Sequence, residues 1–395
     1  MESSGTTPTG GQSPAAIPDI AAAFDGPGAF VTVYLGTEAA VEQAAQRNKL
    51  RWKNLRRQLE DDGAPPEALA AINALVPDAH HRGRTLAVVA DATGIRLVRH
   101  EPEPPARDAG WVAPLPRVGP FIEWAQSAVP HLVVLADRVG ADIVAFTRRA
   151  DSFGAGDAGE LDQPPGTQAQ IMSVGEDTGD DPVLRKTNPG GWSQRRYQQR
   201  AENLWEQNAK AVADQVSSLA DDTGARLIVV AGDVRALQLL REHLPERTAE
   251  LLQEVDGSRA PGSGLDEIAD DVVKLAATVV AEDTVEFLRQ FKEKRGQRHL
   301  AIEGVKNTID ALSAARVDTL LIHDDPDDDR TAWFGPEPGM VAQTKKTLTE
   351  LGVPKPQKAR LVDVAIRAAF TTGAAVRIVP SVGSVKQGIG AILRF

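Results

Sequence analysis

The sequence predicts an α/β protein that is divided into three domains. The chain has 395 residues, which is too many for one small core. Short apolar segments rich in β-branched residues alternate with longer amphipathic segments, as strands alternate with helices in this class. A Pro-rich stretch and a short basic stretch separate the blocks. The predicted parts are a disordered tail (1–18), an N-terminal α/β domain (19–128), a central domain (129–294) and a C-terminal domain (295–395).

The composition excludes several classes of protein. Cysteine is absent, so disulfides, cysteine-ligated zinc and thiol catalysis are excluded. No apolar run is long enough to cross a membrane, and the Ser-, Thr-, Gly- and Pro-rich start lacks the features of a secretory signal. We therefore expect a cytoplasmic protein. The net charge of −11 argues against a generally basic nucleic-acid-binding surface, although local basic patches remain compatible with it.

The N-terminal block reads as a small sheet with one long helix. The predicted elements are a strand (Ala29–Leu35), a helix (Glu38–Glu60), two further strands (Thr85–Ala90 and Gly94–Val98) and a Pro-rich stretch (Glu101–Pro120). The helix carries a basic cluster without any acid inside it: Arg47, Lys49, Arg51, Lys53, Arg56 and Arg57. Such a cluster is typical of RNA phosphate binding, and equally of a solvated helix face.

The central block shows the strand–turn–helix order of an α/β domain. Its predicted elements are strands His131–Ala136, Asp142–Thr147 and Arg226–Ala231, and helices Ser193–Asp221, Val234–His243 and Leu265–Phe291. Between the second strand and the first helix lies a long polar segment, Asp151–Gly191. A segment of this length without regular structure is expected to be functional or disordered.

The C-terminal block follows a polar hinge at Lys292–Arg298. The predicted order is a helix (Ala301–Ala314), a strand (Val317–Ile322), helices near Ala342–Leu351 and Leu361–Thr371, a strand (Ala375–Val379) and a final segment (Ile389–Phe395). This order suits a small α-β-α sandwich. Few contacts are expected to cross the hinge.

Common catalytic motifs do not occur in functional contexts. The glycines of Gly154–Gly159 match a dinucleotide fingerprint, but Pro164 and Pro165 follow where a helix must begin. The acidic run His323–Asp329 lacks the glycine and terminal glutamate of a calcium loop, so a solvated loop is expected. We accordingly predict no catalytic residue, no metal site and no cofactor.

The segment around Gly190 and Gly191 carries the strongest functional signal. An indole, two amides and several arginines follow the two glycines, in a patch from Arg185 to Arg200 that contains no acid. Guanidinium groups suit phosphates, and indoles stack on bases. The predicted RNA-binding residues here are Gly190, Gly191, Trp192, Ser193, Gln194, Arg195, Arg196 and Arg200. The plain alternative is a helix start that is capped by Ser193.

This segment resembles domain two of the archaeo-eukaryotic peptide release factors, where a Gly-Gly-Gln-Ser loop precedes a helix with an Arg-aromatic pair. Gly190, Gly191, Ser193, Arg196 and Tyr197 match that pattern, and Trp192 replaces the family glutamine. Two C-terminal segments are similar to the L7Ae-like domain of Pelota and the release factors, namely Val317–Ile322 and Gly388–Phe395. The whole pattern resembles the bacterial members, which include the Balon-type ribosome hibernation factors.

The resemblance implies a tRNA-shaped translation factor that occupies the A site of idle 70S ribosomes. The N-terminal domain would face the decoding centre, the Gly190–Gly191 loop would reach the peptidyl-transferase centre, and the C-terminal domain would face an elongation factor Tu-like GTPase. P-site tRNA is a further candidate contact, and a monomer is expected away from the ribosome. The Asn-Ile-Lys-Ser motif for stop codons is absent from the N-terminal block, so codon reading is not expected.

The departure at Trp192 decides between catalytic and non-catalytic interpretations. In release factors the glutamine helps to position the attacking water, whereas an indole has one donor and no acceptor. We therefore expect no peptide release and no enzymatic activity. Two alternatives stay open: a peptidyl-tRNA hydrolase in ribosome rescue that uses Gln194, and an L7Ae-like RNA-binding protein that acts away from the ribosome.

Overall fold

The computed structural model describes residues 18–26, 28–37, 44–101, 104–148, 167–175, 191–259, 265–296, 300–380 and 385–395, with only the backbone for 191–205. The glycine motif at 154–159 and Gly190 lie outside these ranges. The described residues form two compact units. One contains both ends of the chain, through residue 126 and from residue 284 onward, and the other contains residues 127–148 and 167–283. Within the described part, no helix is both long and apolar enough to cross a bilayer.

The N-terminal block folds around an antiparallel sheet with the strand order β3-β2-β1-β4. Its elements are α1 (Pro18–Ala22), β1 (Phe30–Gly36), α2 (Ala44–Asp61), α3 (Pro66–Leu75), β2 (Thr85–Asp91), β3 (Gly94–Glu101), β4 (Ala109–Ala113) and α4 (Gly119–Ser127). Every residue of β1 and β2 is buried, because both faces of the sheet are covered. One face, which includes Val33 and Val88, packs against α2 and α3.

The central unit is built on a mixed five-stranded sheet with the order β7-β6-β5-β8-β9. Its elements are β5 (His131–Ala136), β6 (Gly140–Arg148), β7 (Thr167–Gly175), α5 (Gly191–Thr223), β8 (Leu227–Gly232), α6 (Val234–His243), α7 (Glu246–Ala249), β9 (Leu252–Glu254) and α8 (Leu265–Gly296). Helices α5 and α6 cover one face through residues such as Val216 and Leu240. Apolar residues of α8, including Ile268, cover the other face.

The C-terminal block contains a four-stranded sheet with the order β10-β16-β11-β15 and a small three-stranded sheet. Its elements are β10 (Ala301–Glu303), α9 (Val305–Ser313), β11 (Val317–Ile322), β12 (Thr331–Phe334), β13 (Val341–Ala342), α10 (Lys345–Glu350), β14 (Gln357–Arg360), α11 (Leu361–Thr371), β15 (Ala375–Ile378) and β16 (Ile389–Leu393). Leu320 shares a core with α9 and α11, while Leu321 packs with Phe291 of α8. The four-stranded sheet therefore lies between helices on both faces, as the predicted sandwich requires.

The two ends of the chain share one hydrophobic core. The second face of the N-terminal sheet contributes Phe30 and Tyr34 to the same cluster as Ile309 and Phe334. The ring of Phe24 lies edge-on to that of Phe370, with 6.1 Å between centroids. A hydrogen bond also joins the two blocks, since the backbone N–H of Ile378 donates to the side-chain oxygen of Gln126 at 2.7 Å. The expectation that few contacts join the C-terminal block to the preceding chain was wrong.

The structure corrects four local predictions. The polar segment contains strand β7, which pairs with β6 over its full length. The hinge at Lys292–Arg298 is helical through Gly296, because its Lys, Glu and Arg residues are good helix formers. The predicted helix Ala301–Ala314 begins as strand β10, which pairs with β16, and becomes helical at Val305. The acidic run is not fully solvated, because Asp324 is 10% exposed and pairs with Arg360.

Candidate nucleic-acid interface

Helix α2 positions the predicted basic cluster. Asn48, Trp52, Leu55 and Leu59 recur every three or four residues and are buried against the sheet. The Trp52 indole N–H also donates to the Asn73 side chain at 3.0 Å, which ties α2 to α3. The helix is therefore fixed along one side, and its remaining sides carry the charges.

The basic residues of α2 divide between two sides of the helix. Lys49, Lys53 and Arg57 recur every fourth residue, are exposed, and lie away from the buried side. We call these three the outer stripe. Lys and Arg side chains bind nucleic acids by neutralising phosphates, so three such charges within about two helical turns form a candidate phosphate-binding surface.

The other three basic residues have partners within the protein or lie apart from the stripe. Arg51 donates to the Gly36 carbonyl at 3.1 Å and lies 3.8 Å from the Asp108 carboxylate. Arg56 pairs with Glu60 at 2.8 Å, four residues along the same helix. Arg47 is exposed on the flank that also carries Arg51. The six basic residues all lie on α2, but they do not form one continuous face.

Two arginines that the sequence prediction missed lie near Arg51. Arg84 immediately precedes β2, and Arg107 lies just before β4. Both are exposed; the side chain of Arg107 is 62% exposed and lies 2.8 Å from Asp327. Their proximity to α2 follows from strand pairing over long sequence separations, so no local pattern in the sequence could have indicated it.

The second predicted cluster lies at the start of α5. The backbone is helical from Gly191 onward, so Gly191, Trp192 and Ser193 belong to the helix rather than to a loop. Ser193 stands inside the first turn and is not the residue that precedes the helix. Positions 192, 196 and 200 recur every fourth residue, so the helical backbone places them along one side.

The remainder of α5 anchors this helix in the central unit. It is 33 residues long, which corresponds to about 50 Å. Val212, Val216 and Leu219 are buried against the five-stranded sheet, and Asn208 donates to the Arg138 carbonyl at 3.4 Å. The predicted RNA-binding positions therefore start a helix whose later turns are held by a hydrophobic core.

A buried charged cluster accounts for part of the acidic run. Arg360 pairs with Asp324 and lies 3.3 Å from Asp363. Burial raises the pKa of Asp363 to about 7, against the opposing effect of Arg360. Burial also raises the pKa of Tyr34, and the two carboxylates add to the rise. These groups lie inside the shared core of the first unit, where they position its two parts rather than face a ligand.

No group of three or more His, Asp or Glu side chains is arranged for a metal ion in the described part of the chain. The pKa of His131 is lowered, chiefly by burial, and its ring stacks on Phe146 with 4.5 Å between centroids. His131 is therefore a packed core residue of β5. The arrangement around it gives no reason to assign acid–base chemistry.

Comparison with known proteins finds a family model that matches the central unit. A model of the bacterial archaeo-eukaryotic release factor family 2 matches residues 130–297. This range contains both the helical start at Gly191 and the five-stranded sheet. An uncharacterized protein of Mycobacterium tuberculosis (strain H37Rv) is 26% identical over 380 residues, which cover 93% of this chain and 94% of that protein.

Solved structures show a weaker likeness. An archaeal translation termination factor is 16% identical, covers 95% of both chains and gives a TM-score of 0.24. Archaeal Pelota, from a model of the ribosome-bound protein with ABCE1, is 14% identical, covers 97% of this chain and 95% of that one, and gives a TM-score of 0.37. At TM-scores this low, individual residues of the two structures cannot be matched to one another. Residues 130–297, which include the Gly-Gly segment, are thus similar to the bacterial archaeo-eukaryotic release factor family 2.

Proposed function

We propose that this protein binds idle 70S ribosomes and occupies the A site, without reading a codon and without releasing peptide. It would protect or store ribosomes, in the manner of the Balon-type hibernation factors that its sequence resembles. The observation that carries the proposal is the family match over residues 130–297, with a tryptophan at the position of the release-factor glutamine.

The helical start of α5 supports a non-catalytic role. An indole at position 192 can stack on a base or ribose, but it has no acceptor with which to orient water. Gln194 is the nearest amide. Two residues along a helix correspond to a rotation of about 200°, so the helical backbone places positions 192 and 194 on different sides. Because catalysis by positioning tolerates little displacement, hydrolysis through Gln194 is disfavoured.

The charge pattern supports contact with RNA at defined places on an acidic protein. The net charge is −11, so nonspecific attraction to RNA is weak overall. The outer stripe and the arginines at 195, 196 and 200 are local exceptions. We assign the outer stripe to ribosomal RNA near the decoding centre, and the start of α5 to the peptidyl-transferase centre, with P-site tRNA as a neighbour.

A translational GTPase related to elongation factor Tu is the proposed protein partner, bound by the C-terminal block. A second relative, Dom34 of S. cerevisiae, is described as a translation termination-like factor that interacts with Hbs1. That description concerns Dom34, and the partner proposed here rests on the sequence resemblance of the C-terminal segments Val317–Ile322 and Gly388–Phe395. The proposed location is the cytoplasm, on ribosomes, and the free protein is proposed to be a monomer.

The test is sedimentation of lysates from growing and starved cells, with detection of this protein in each fraction. We expect it to move from soluble fractions into the 70S fractions on starvation. The same purified protein should release no peptide from loaded ribosomes. Release that depends on Gln194 would instead make it a rescue hydrolase. Absence from ribosomes at low salt in both conditions would favour an RNA-binding role elsewhere.

A further inference from the structure

One end of the N-terminal sheet forms an open cleft beside α2. Strand β1 runs antiparallel to both of its neighbours, with Gly36 opposite Thr85 and Tyr34 opposite Ala109. The residues that precede β2 and β4 therefore flank the end of β1. The cleft has a volume of about 250 Å³. It is lined by Gly36, Thr37, Arg51, Arg84, Pro104, Pro105, Ala106, Arg107 and Asp108.

The charge of the cleft is positive. Three guanidinium groups line it, from Arg51, Arg84 and Arg107, against the single carboxylate of Asp108. That carboxylate accepts the Gly36 N–H at 2.7 Å, so one of its oxygens is already used. Arg84 makes no side-chain hydrogen bond or ion pair with the residues that the structure describes. Arg107 pairs with Asp327, but both side chains are more than half exposed, and such a pair exchanges readily with an anion.

The walls of the cleft are fixed before any ligand arrives. The Thr37 hydroxyl is buried and donates to the Gly83 carbonyl at 2.7 Å. A Cβ on Gly36 would lie 2.8 Å from a guanidinium nitrogen of Arg51, so the lack of a side chain at Gly36 leaves room for that group beside the strand. Pro104 and Pro105 restrict the opposite wall. The backbone around the cleft therefore needs little further ordering, whereas the exposed side chains of Arg84 and Arg107 would be ordered by the ligand.

We propose that this cleft binds a phosphate group together with the ribose that carries it. Guanidinium forks match phosphate oxygens, and Asp108 Oδ2, which lies 3.8 Å from Arg51 Nε, can accept a hydrogen bond from a sugar hydroxyl. The volume lies below the roughly 300–1,000 Å³ of pockets that enclose a whole small molecule, so the base stays outside. The group comes either from an RNA chain or from a free nucleotide. Only the RNA source rests on the proposed ribosomal function.

The experiment is a calorimetric titration of the full-length protein with adenosine 5′-monophosphate and with a short single-stranded RNA. Variants Arg84→Ala and Arg107→Ala each remove a charge from the cleft. Arg82→Ala removes an exposed arginine nearby that does not line it, and serves as the matched control. Loss of one charge-assisted contact should weaken binding by about tenfold in the two cleft variants and leave the control unchanged.

The outcomes separate the sources. Selective loss of mononucleotide binding supports a free-nucleotide site, and selective loss of RNA binding alone assigns the cleft to an RNA chain. The proposal is overturned if neither probe binds, or if Arg82→Ala weakens binding as much as the cleft variants do. Inorganic phosphate that binds as tightly as the nucleotide overturns the role of the ribose. Because no ribosome is present, these results are independent of whether the outer stripe binds ribosomes.

Discussion

At the scale of single residues, the basic residues of α2 form one cluster in the sequence but have different surroundings in the structure. Lys53 is exposed, whereas Arg51, two positions earlier, is engaged with Gly36 and Asp108. We predict that Lys53→Glu weakens ribosome binding and reduces the log–log salt slope by about one unit for a lost phosphate contact. Lys274→Glu is the matched control, since Lys274 is exposed on α8, outside the stripe. If the two substitutions weaken binding equally, the outer stripe is a solvated helix face that does not contact RNA.

Trp192 carries the distinction between a release factor and a non-catalytic factor. We predict that Trp192→Ala weakens ribosome binding by about 1–3 kcal/mol, because a stacking ring is lost. Trp192→Phe retains a ring and should preserve most of the affinity. Measurement of both affinities on purified 70S ribosomes checks this. An alanine variant that binds as tightly as the wild type would remove the stacking role.

His100 makes the stability of the first unit dependent on pH. It is 6% exposed, and its Nδ1 has no hydrogen-bond partner among the described residues. Burial lowers its pKa from 6.5 to about 4, with a further contribution from Arg82. In the unfolded chain His100 binds a proton as the pH falls below 6.5, whereas in the folded chain it binds one only near pH 4. The free energy of unfolding therefore falls as the pH drops from 6.5 to about 4.

The variant His100→Leu removes that linkage. We predict that, between about pH 7.5 and about pH 5.5, the free energy of unfolding of the wild type falls by about 1 kcal/mol relative to the variant. Urea unfolding of both proteins at each pH measures the difference. A gap that stays constant, or that moves in favour of the wild type on acidification, would mean that His100 protonates freely in the folded state.

At the scale of elements, α4 begins with a glycine for a steric reason. A Cβ on Gly119 would lie 1.6 Å from a carboxylate oxygen of Asp324, which Arg360 holds in place. We predict that Gly119→Ala lowers the free energy of unfolding by about 1–3 kcal/mol through overpacking. The control is Gly296→Ala in α8, where no atom lies within 4 Å. Thermal unfolding that responds equally to both substitutions would contradict the close packing at Gly119.

The elements that the sequence predicts well are those whose burial leaves a strong local pattern. Strand β8 is a continuous apolar run because both of its faces are covered, and helix α6 has the predicted bounds Val234–His243. At the start of α6, the carboxylate of Asp233 accepts hydrogen bonds from the backbone N–H groups of Arg235 and Ala236. Such signals are local, so they can be recognised without knowing the neighbours in space.

The elements that were missed depend on distant partners. Strand β7 (TQAQIMSVG) is polar in half of its positions and is defined by pairing with β6. The short strands β12, β13 and β14 contain four residues or fewer and stabilise one another. The sequence did not predict that Arg84 and Arg107 lie near Arg51, because only the antiparallel pairing of β1 with β2 and β4 brings them together.

At the scale of the whole molecule, the two ends of the chain fold together. Phe30 and Tyr34 of the N-terminal sheet share a core with residues of α9, β12 and α11. A chain cut at the predicted hinge would uncover this apolar surface. The N-terminal and C-terminal blocks therefore depend on each other for burial, although hundreds of residues separate them in sequence. No local pattern predicts a core of this kind.

Competition for the A site of 70S ribosomes tests the proposed function most directly. Ribosomes programmed with P-site tRNA are incubated with increasing amounts of this protein, and binding of aminoacyl-tRNA to the A site is measured together with peptide release. We predict that A-site tRNA is displaced in proportion to the bound protein and that no peptide is released. Full A-site tRNA binding on ribosomes that also carry the protein, or robust peptide release by the wild type, would contradict the proposed function.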